Sequence, residues 1–236
     1  MTKNQQLLAK MGGGSLALLL SLSLGQQASA TTLVSNLPPT TATAQGSPVQ
    51  SNQWLRSSFT TGSGSYGYTI NSVTLRLAEM AANANLFVRL YSDNSGGLGS
   101  QIASFTNPSF TPNTTNNYTF TPTTPQTLAA NTAYWLVAGI SDGSGQYLWA
   151  FTKSPDQTGV TGWSIGDIPF YSGNQGLSWN SNFPDSFNAF QFSVNGTVNT
   201  PPTPPTNIPE PGSAVALLGL GGLGLASRMK KLSTRA

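Results

Sequence analysis

The chain is 236 residues long, with 25 glycines, 16 prolines and ten basic against seven acidic residues, a formal net charge of +3. It has no cysteine and no histidine, which excludes disulfides, Cys- or His-ligated zinc, and any Ser-His-Asp or Cys-His nucleophile. Carboxylate catalysis, a Ser-Lys pair and oxygen-ligated calcium remain open.

The charge is unevenly placed. Lys3, Lys10, Arg228, Lys230, Lys231 and Arg235 all lie near the two ends. Between Thr31 and Thr200 stand Arg56, Arg76, Arg89 and Lys153 against Glu79, Asp93, Asp142, Asp156, Asp167 and Asp185, a net charge of −2. No basic stripe is left in the body to follow a phosphate backbone, which argues against a nucleic-acid partner.

Residues 1–30 have the parts of a secretory signal peptide. Lys3 and Lys10 form the positive region, Leu16–Leu24 the apolar run, and Ala28-Ser29-Ala30 the small-x-small cleavage site, with cleavage expected before Thr31. No twin arginine precedes the apolar run and no cysteine follows it, so the expected route is the Sec machinery without lipidation. The apolar run predicts a short signal helix. Residues 31–49, with Leu37-Pro38-Pro39-Thr40-Thr41, read as an N-terminal linker.

The next segment, 50–197, is divided by Gly, Pro, Asn and Asp into short stretches that alternate apolar and polar residues. Predicted strands are Gln53–Phe59, Tyr68–Leu77, Leu86–Tyr91, Gln101–Phe105, Asn117–Phe120, Ala133–Ile140, Gln146–Phe151 and Asn188–Val194. The apolar residues Val73, Leu75 and Leu77, like Phe190, Phe192 and Val194, fall at the period of two that buries one face of a strand. No sustained helical period occurs here. An all-β domain is expected, an antiparallel β-sandwich of jelly-roll type. Within it, Asn85–Phe105 (NLFVRLYSDNSGGLGSQIASF) and Leu128–Ile140 (LAANTAYWLVAGI) resemble the bacterial choice-of-anchor β-domains. That resemblance implies a surface-exposed β fold and carries no catalytic residues.

Candidate sites within the body each have a simpler structural reading. Asp93 and Asp142 could offer carboxylates to calcium, yet both sit in Asx-Gly turns where backbone geometry alone favours them. Glu79 is the only glutamate of the body and could serve a glycosidase, though it has no carboxylate neighbour in sequence. Lys153-Ser154 could be a Ser-Lys pair or simply a loop. Trp163, Tyr171 and Trp179 lie in Gly159–Asn182, a Gly/Asn/Ser-rich region, and form a candidate platform for sugar rings. Covering the edge of the core is their other reading. Trp135 lies in the most apolar strand and is expected to be buried. No cofactor is expected.

Residues 198–207 include NTPPTPPTN, a Pro/Thr-rich spacer. Residues 208–236 then give Pro209-Glu210-Pro211, an apolar run Ser213–Ala226 with four glycines, and the basic cluster Arg228, Lys230, Lys231 and Arg235. The apolar run is shorter than the ~20 residues a spanning helix needs, so it predicts a short hydrophobic helix that inserts transiently in the inner membrane. The order of the three parts resembles the PEP-CTERM sorting signals of Gram-negative bacteria. The resemblance implies export, processing by an exosortase-type membrane protease, and delivery to the cell surface or outside it. The expected function is therefore a non-enzymatic surface or extracellular-matrix protein. A carbohydrate-binding module acting on extracellular polysaccharide is the alternative, and a carboxylate-dependent hydrolase the second alternative.

Overall fold

A computed structural model describes residues 30–38, 45–81, 85–154, 156–183 and 189–202. The chain divides into a body through Asn199 and a C-terminal unit from Thr200, of which only the first three residues are described. The two expected terminal helices, the cleavage residue Ala28, the sorting residues and the basic cluster lie outside the described residues.

The body is all β, with no helix among the described residues. Its strands are β1 (Thr31–Ser35), β2 (Gly46–Val49), β3 (Trp54–Thr60), β4 (Tyr68–Ala81) and β5 (Leu86–Asn94). Then come β6 (Gly97–Thr106), β7 (Thr115–Pro122), β8 (Gln126–Leu128), β9 (Ala133–Ile140) and β10 (Gln146–Thr152). Short strands follow: β11 (Thr158–Gly159), β12 (Ser164–Ile165), β13 (Phe170–Ser172), β14 (Ala189–Phe190) and finally β15 (Phe192–Val198). All pair antiparallel along the path β11-β1-β15-β4-β7-β6-β5-β9-β3-β12. The 14-residue β4 is the spine: β15 and β10 share one of its sides, β8 and β7 the other.

The sheet curls so that alternating residues meet inside. Leu55 and Phe59 on β3, Val88 and Leu90 on β5, Val73, Leu75 and Leu77 on β4, and Phe192 and Val194 on β15 belong to one buried cluster. Phe59 reaches Phe192 across the interior at 6.4 Å between ring centroids. Apolar burial on this scale, at roughly 25 cal/mol per Å², is the main force holding a body that lacks disulfides. The curl is a single hydrogen-bonded sheet, because β6 and β7 bridge its halves through Phe105–Pro122 and Thr106–Thr121. Two separate sheets, the simplest sandwich, would lack that bridge.

The stretch expected as an N-terminal linker holds two strands instead. In β1, a register shift between Thr32 and Val34 lets the consecutive residues Leu33 and Val34 both be buried, which hides the alternation a strand would show. The β2 sequence contains Pro48, and the strand pairs only with β10, the edge position that proline tolerates. Missing pattern in the first and a proline in the second explain why neither reads as a strand.

Candidate functional site

The outer face of the β13-β3-β9-β5 region carries the least ordinary chemistry of the body. Arg56 on β3 lies between the core residue Leu55 and the fully buried Ser57, so its side chain points away from the interior. It is nonetheless 3% exposed. Three aromatic rings enclose its guanidinium: Trp135 at 4.0 Å, Phe170 at 4.4 Å and Trp179 at 4.9 Å from the ring centroids. Cross-strand register explains the enclosure, since Phe170 pairs with Arg56 and Trp135 pairs with the neighbouring Ser58. Such cation–π contacts are worth ~2 kcal/mol when desolvated.

The guanidinium's polar contacts are few. Nη2 donates to the Gly96 carbonyl at 3.3 Å, while Nε and Nη1 are buried with no hydrogen-bond partner. Burial pushes Arg56 down from its ordinary range to about 10, with the nearby Asp93 carboxylate opposing the shift. Asp93 itself accepts from Trp135 Nε1 at 2.7 Å and from the Gly96 backbone N–H at 3.1 Å. Asp93 thus joins the β5–β6 turn to the Trp135 ring. That turn is a two-residue reversal with positive φ at Ser95 (52°) and Gly96 (83°), as a type I′ hairpin requires.

Beside this cage lie two further rings and a second arginine. Trp54 meets Phe87 edge-on at 4.7 Å, and Arg89 lies 4.0 Å over the Phe87 ring. Gly139 makes the seat: a Cβ there would collide with Phe87 and come within 2.7 Å of Trp54. The loop after β13 closes the other end. Asn174 accepts from the Ser172 hydroxyl and the Ser178 N–H at 2.9 Å each, and Gly176 N–H donates to Ser172 Oγ at 2.7 Å. Trp179 Nε1 donates to the Gly176 carbonyl at 3.1 Å, which fixes the ring over Arg56.

The three aromatics expected to form one sugar platform are not brought together. Trp163 is 7% exposed, stacked on Phe59 at 5.7 Å and edge-on to Tyr68 at 4.8 Å, so it is a core residue. Tyr171 turns inward against Phe183, at 5.4 Å, and packs on the core. Only Trp179 faces outward, half-buried. Strand alternation separates Tyr171 from Phe170, a signal hidden in the sequence because β13 is only three residues long. Sequence reasoning missed Trp54, Phe87 and Arg56, whose role appears only once their strands pair.

Of the carboxylates, Asp142 accepts from Asn85 Nδ2, and Glu79 accepts from the Tyr147 hydroxyl at 3.2 Å. Burial, helped by Glu79, pushes the Tyr147 phenol up to about 12. Ser154 Oγ donates to Asp156 at 2.6 Å, which makes it part of a polar turn. A cavity of about 180 Å³ is lined by Asn36, Ser154, Asp156, Gln157, Ile165 and Asp167, among others. Among the described residues no three His, Cys, Asp or Glu side chains gather as a metal site. No helix among them is long and apolar enough to cross a membrane.

The C-terminal unit supplies what the body does not. Residues 207–231 match the family model of the PEP-CTERM protein-sorting motif. The match takes in Pro209, Glu210 and Pro211, the apolar run, and Arg228, Lys230 and Lys231. A chain with this motif is sorted through exosortase toward the cell surface. No curated protein matches the chain.

Proposed function

We propose that this is a non-enzymatic surface or extracellular-matrix protein, exported by the Sec route, held briefly in the inner membrane by its C-terminal segment, and released by exosortase-type cleavage. The sorting motif at 207–231 carries the reading. Several features of the body support it. Asp93, Asp142 and Glu79 are each committed to hydrogen bonds that hold turns or strands. The Asn85–Phe105 hairpin and the β9 strand, the segments that resemble choice-of-anchor β-domains, are structural elements of the curled sheet.

Cell fractionation in a host with exosortase tests the proposal. The natural chain is expected at the surface or in the medium, and Glu210→Ala in the inner membrane. Finding Glu210→Ala at the surface in the natural proportion contradicts the sorting role given to this residue. For the hydrolase alternative, Glu79, the sequence candidate, is bonded to Tyr147, while Asp156 and Asp167 line one cavity. Polysaccharide turnover that disappears in Asp156→Asn or Asp167→Asn, with the fold intact, would establish that alternative instead.

A further inference from the structure

Trp54, Phe87 and Trp179 form a row on the outer face of the sheet, with Arg89 at one end and Arg56 beneath the other. Three of its links are direct contacts, and Gly176 fills the step between the two tryptophans. Arg89 lies over Phe87, Phe87 meets Trp54, and Trp179 covers Arg56. Gly176 sits between the two tryptophans: a Cβ there would stand 3.1 Å from the Trp54 ring and 3.7 Å from Trp179. Its φ of +89° also favours glycine. All three rings are half-buried, so each keeps solvent-accessible area.

We propose that this row binds an anionic polysaccharide, with sugar faces laid on Trp54 and Trp179 and a uronate carboxylate paired with Arg89. Three observations carry the proposal. The first is preorganisation. Both indole N–H groups are already satisfied by backbone carbonyls, Trp54 Nε1 by Ile140 at 3.2 Å and Trp179 Nε1 by Gly176. The rings are therefore held in place with their apolar surface as the part left to contact a ligand, and little rotamer freedom is lost on binding.

The second is charge. The body as a whole is net negative, yet this face holds two of its four basic residues, Arg56 and Arg89, against Asp93. The third is the buried cation. Arg56 is 3% exposed and two of its nitrogens have no hydrogen-bond partner, so Asp93 and the three rings offset only part of the cost of burying its charge. An anion laid over the row would add a second favourable charge near this cation, at the intermediate dielectric of a protein surface. A nucleic acid fits less well, because a phosphate backbone calls for a groove with several accessible cations and here only Arg89 is half-exposed.

The proposal rests on the surface-protein reading for its biological setting, but its test is independent of sorting. The exported protein, purified from the host, is titrated with polygalacturonate, with neutral dextran and with a single-stranded oligonucleotide, at low and high salt. Polygalacturonate should bind and weaken with salt, and dextran should bind about tenfold more weakly or not at all. Arg89→Gln and Trp179→Ala should each lose about tenfold toward polygalacturonate while melting as folded proteins. Lys153→Gln, remote from the row in sequence and strand, should retain binding. Absence of polygalacturonate binding, equal binding to dextran, preferred binding to the oligonucleotide, or indifference to both Arg89→Gln and Trp179→Ala would each overturn it. Fractionation results for Glu210→Ala stand or fall separately.

Discussion

Thr31 and Gly196 are direct partners across the β1–β15 pair. The first residue after the expected signal cleavage therefore pairs with a strand that ends where the C-terminal spacer begins. The two strands lie side by side within the sheet. Gly196 is required at this pairing, because a Cβ there would collide with the Thr69 carbonyl and stand 2.8 Å from Leu33 Cδ1. Gly196→Ala is expected to cost about 1–3 kcal/mol, the usual penalty for forcing a shift in packed surroundings. Gly173→Ala, whose Cβ would meet nothing within 4 Å, should change stability by less than about 1 kcal/mol. Urea denaturation of the two variants checks the contrast; equal losses would contradict the close approach at Gly196.

The tryptophans should separate into two classes. Trp149 is fully buried, stacked on Phe190 at 4.6 Å, and donates its N–H to the Gln191 carbonyl at 3.0 Å. Trp149→Ala is expected to cost ~3–5 kcal/mol, with Trp163→Ala in the same range. Trp179→Ala removes a half-buried ring on a loop and should cost distinctly less. Thermal melts decide the point, and a Trp179→Ala loss equal to that of Trp149→Ala would count against a surface role for Trp179.

Stability at alkaline pH should depend on Tyr147. Its phenol titrates at about 12 in the fold against an ordinary value of 10.0, so the folded state favours the neutral form. The stabilisation is complete below pH 10 and is lost as pH rises toward about 12. Tyr147→Phe gives up the hydrogen bond to Glu79, at about 1 kcal/mol, but has no phenol to ionise. The gap in urea midpoint between the natural chain and Tyr147→Phe should be constant near neutrality and narrow between pH 10 and 12. A gap that does not change over that window would contradict the shifted titration.

The fold was legible wherever strands alternate cleanly. Seven of the eight predicted strands appear as single strands, most of them longer than expected, with β4 running to Ala81 and β6 starting at Gly97. The eighth, expected over Asn188–Val194, is broken at Gln191 into β14 and β15, which pair with different partners. What stayed hidden had local causes. The bulge in β1 buries Leu33 and Val34 in succession, and β11 to β14 are two or three residues each, too short to display a period. Trp135 is buried as expected, at 5% exposure, but outside the interior cluster. An apolar strand predicted its burial, while its partners, Arg56 and Asp93, come from strands that only pairing brings near. The three platform residues are separated for a related reason: proximity in sequence placed Trp163, Tyr171 and Trp179 together, but strand alternation in β13 turns Tyr171 inward, and the loops before β12 and after β13 send Trp163 to the core and Trp179 to the outer face.

We propose that this body is delivered by signals at both ends and keeps neither. Intact-mass spectrometry of the protein recovered from its native host tests it most directly. The predicted result is a chain that begins at or near Thr31 and ends close to Pro209-Glu210-Pro211, with the apolar run and the basic cluster removed. A surface protein whose mass still includes Ser213–Ala226 and Arg228–Arg235 would contradict it.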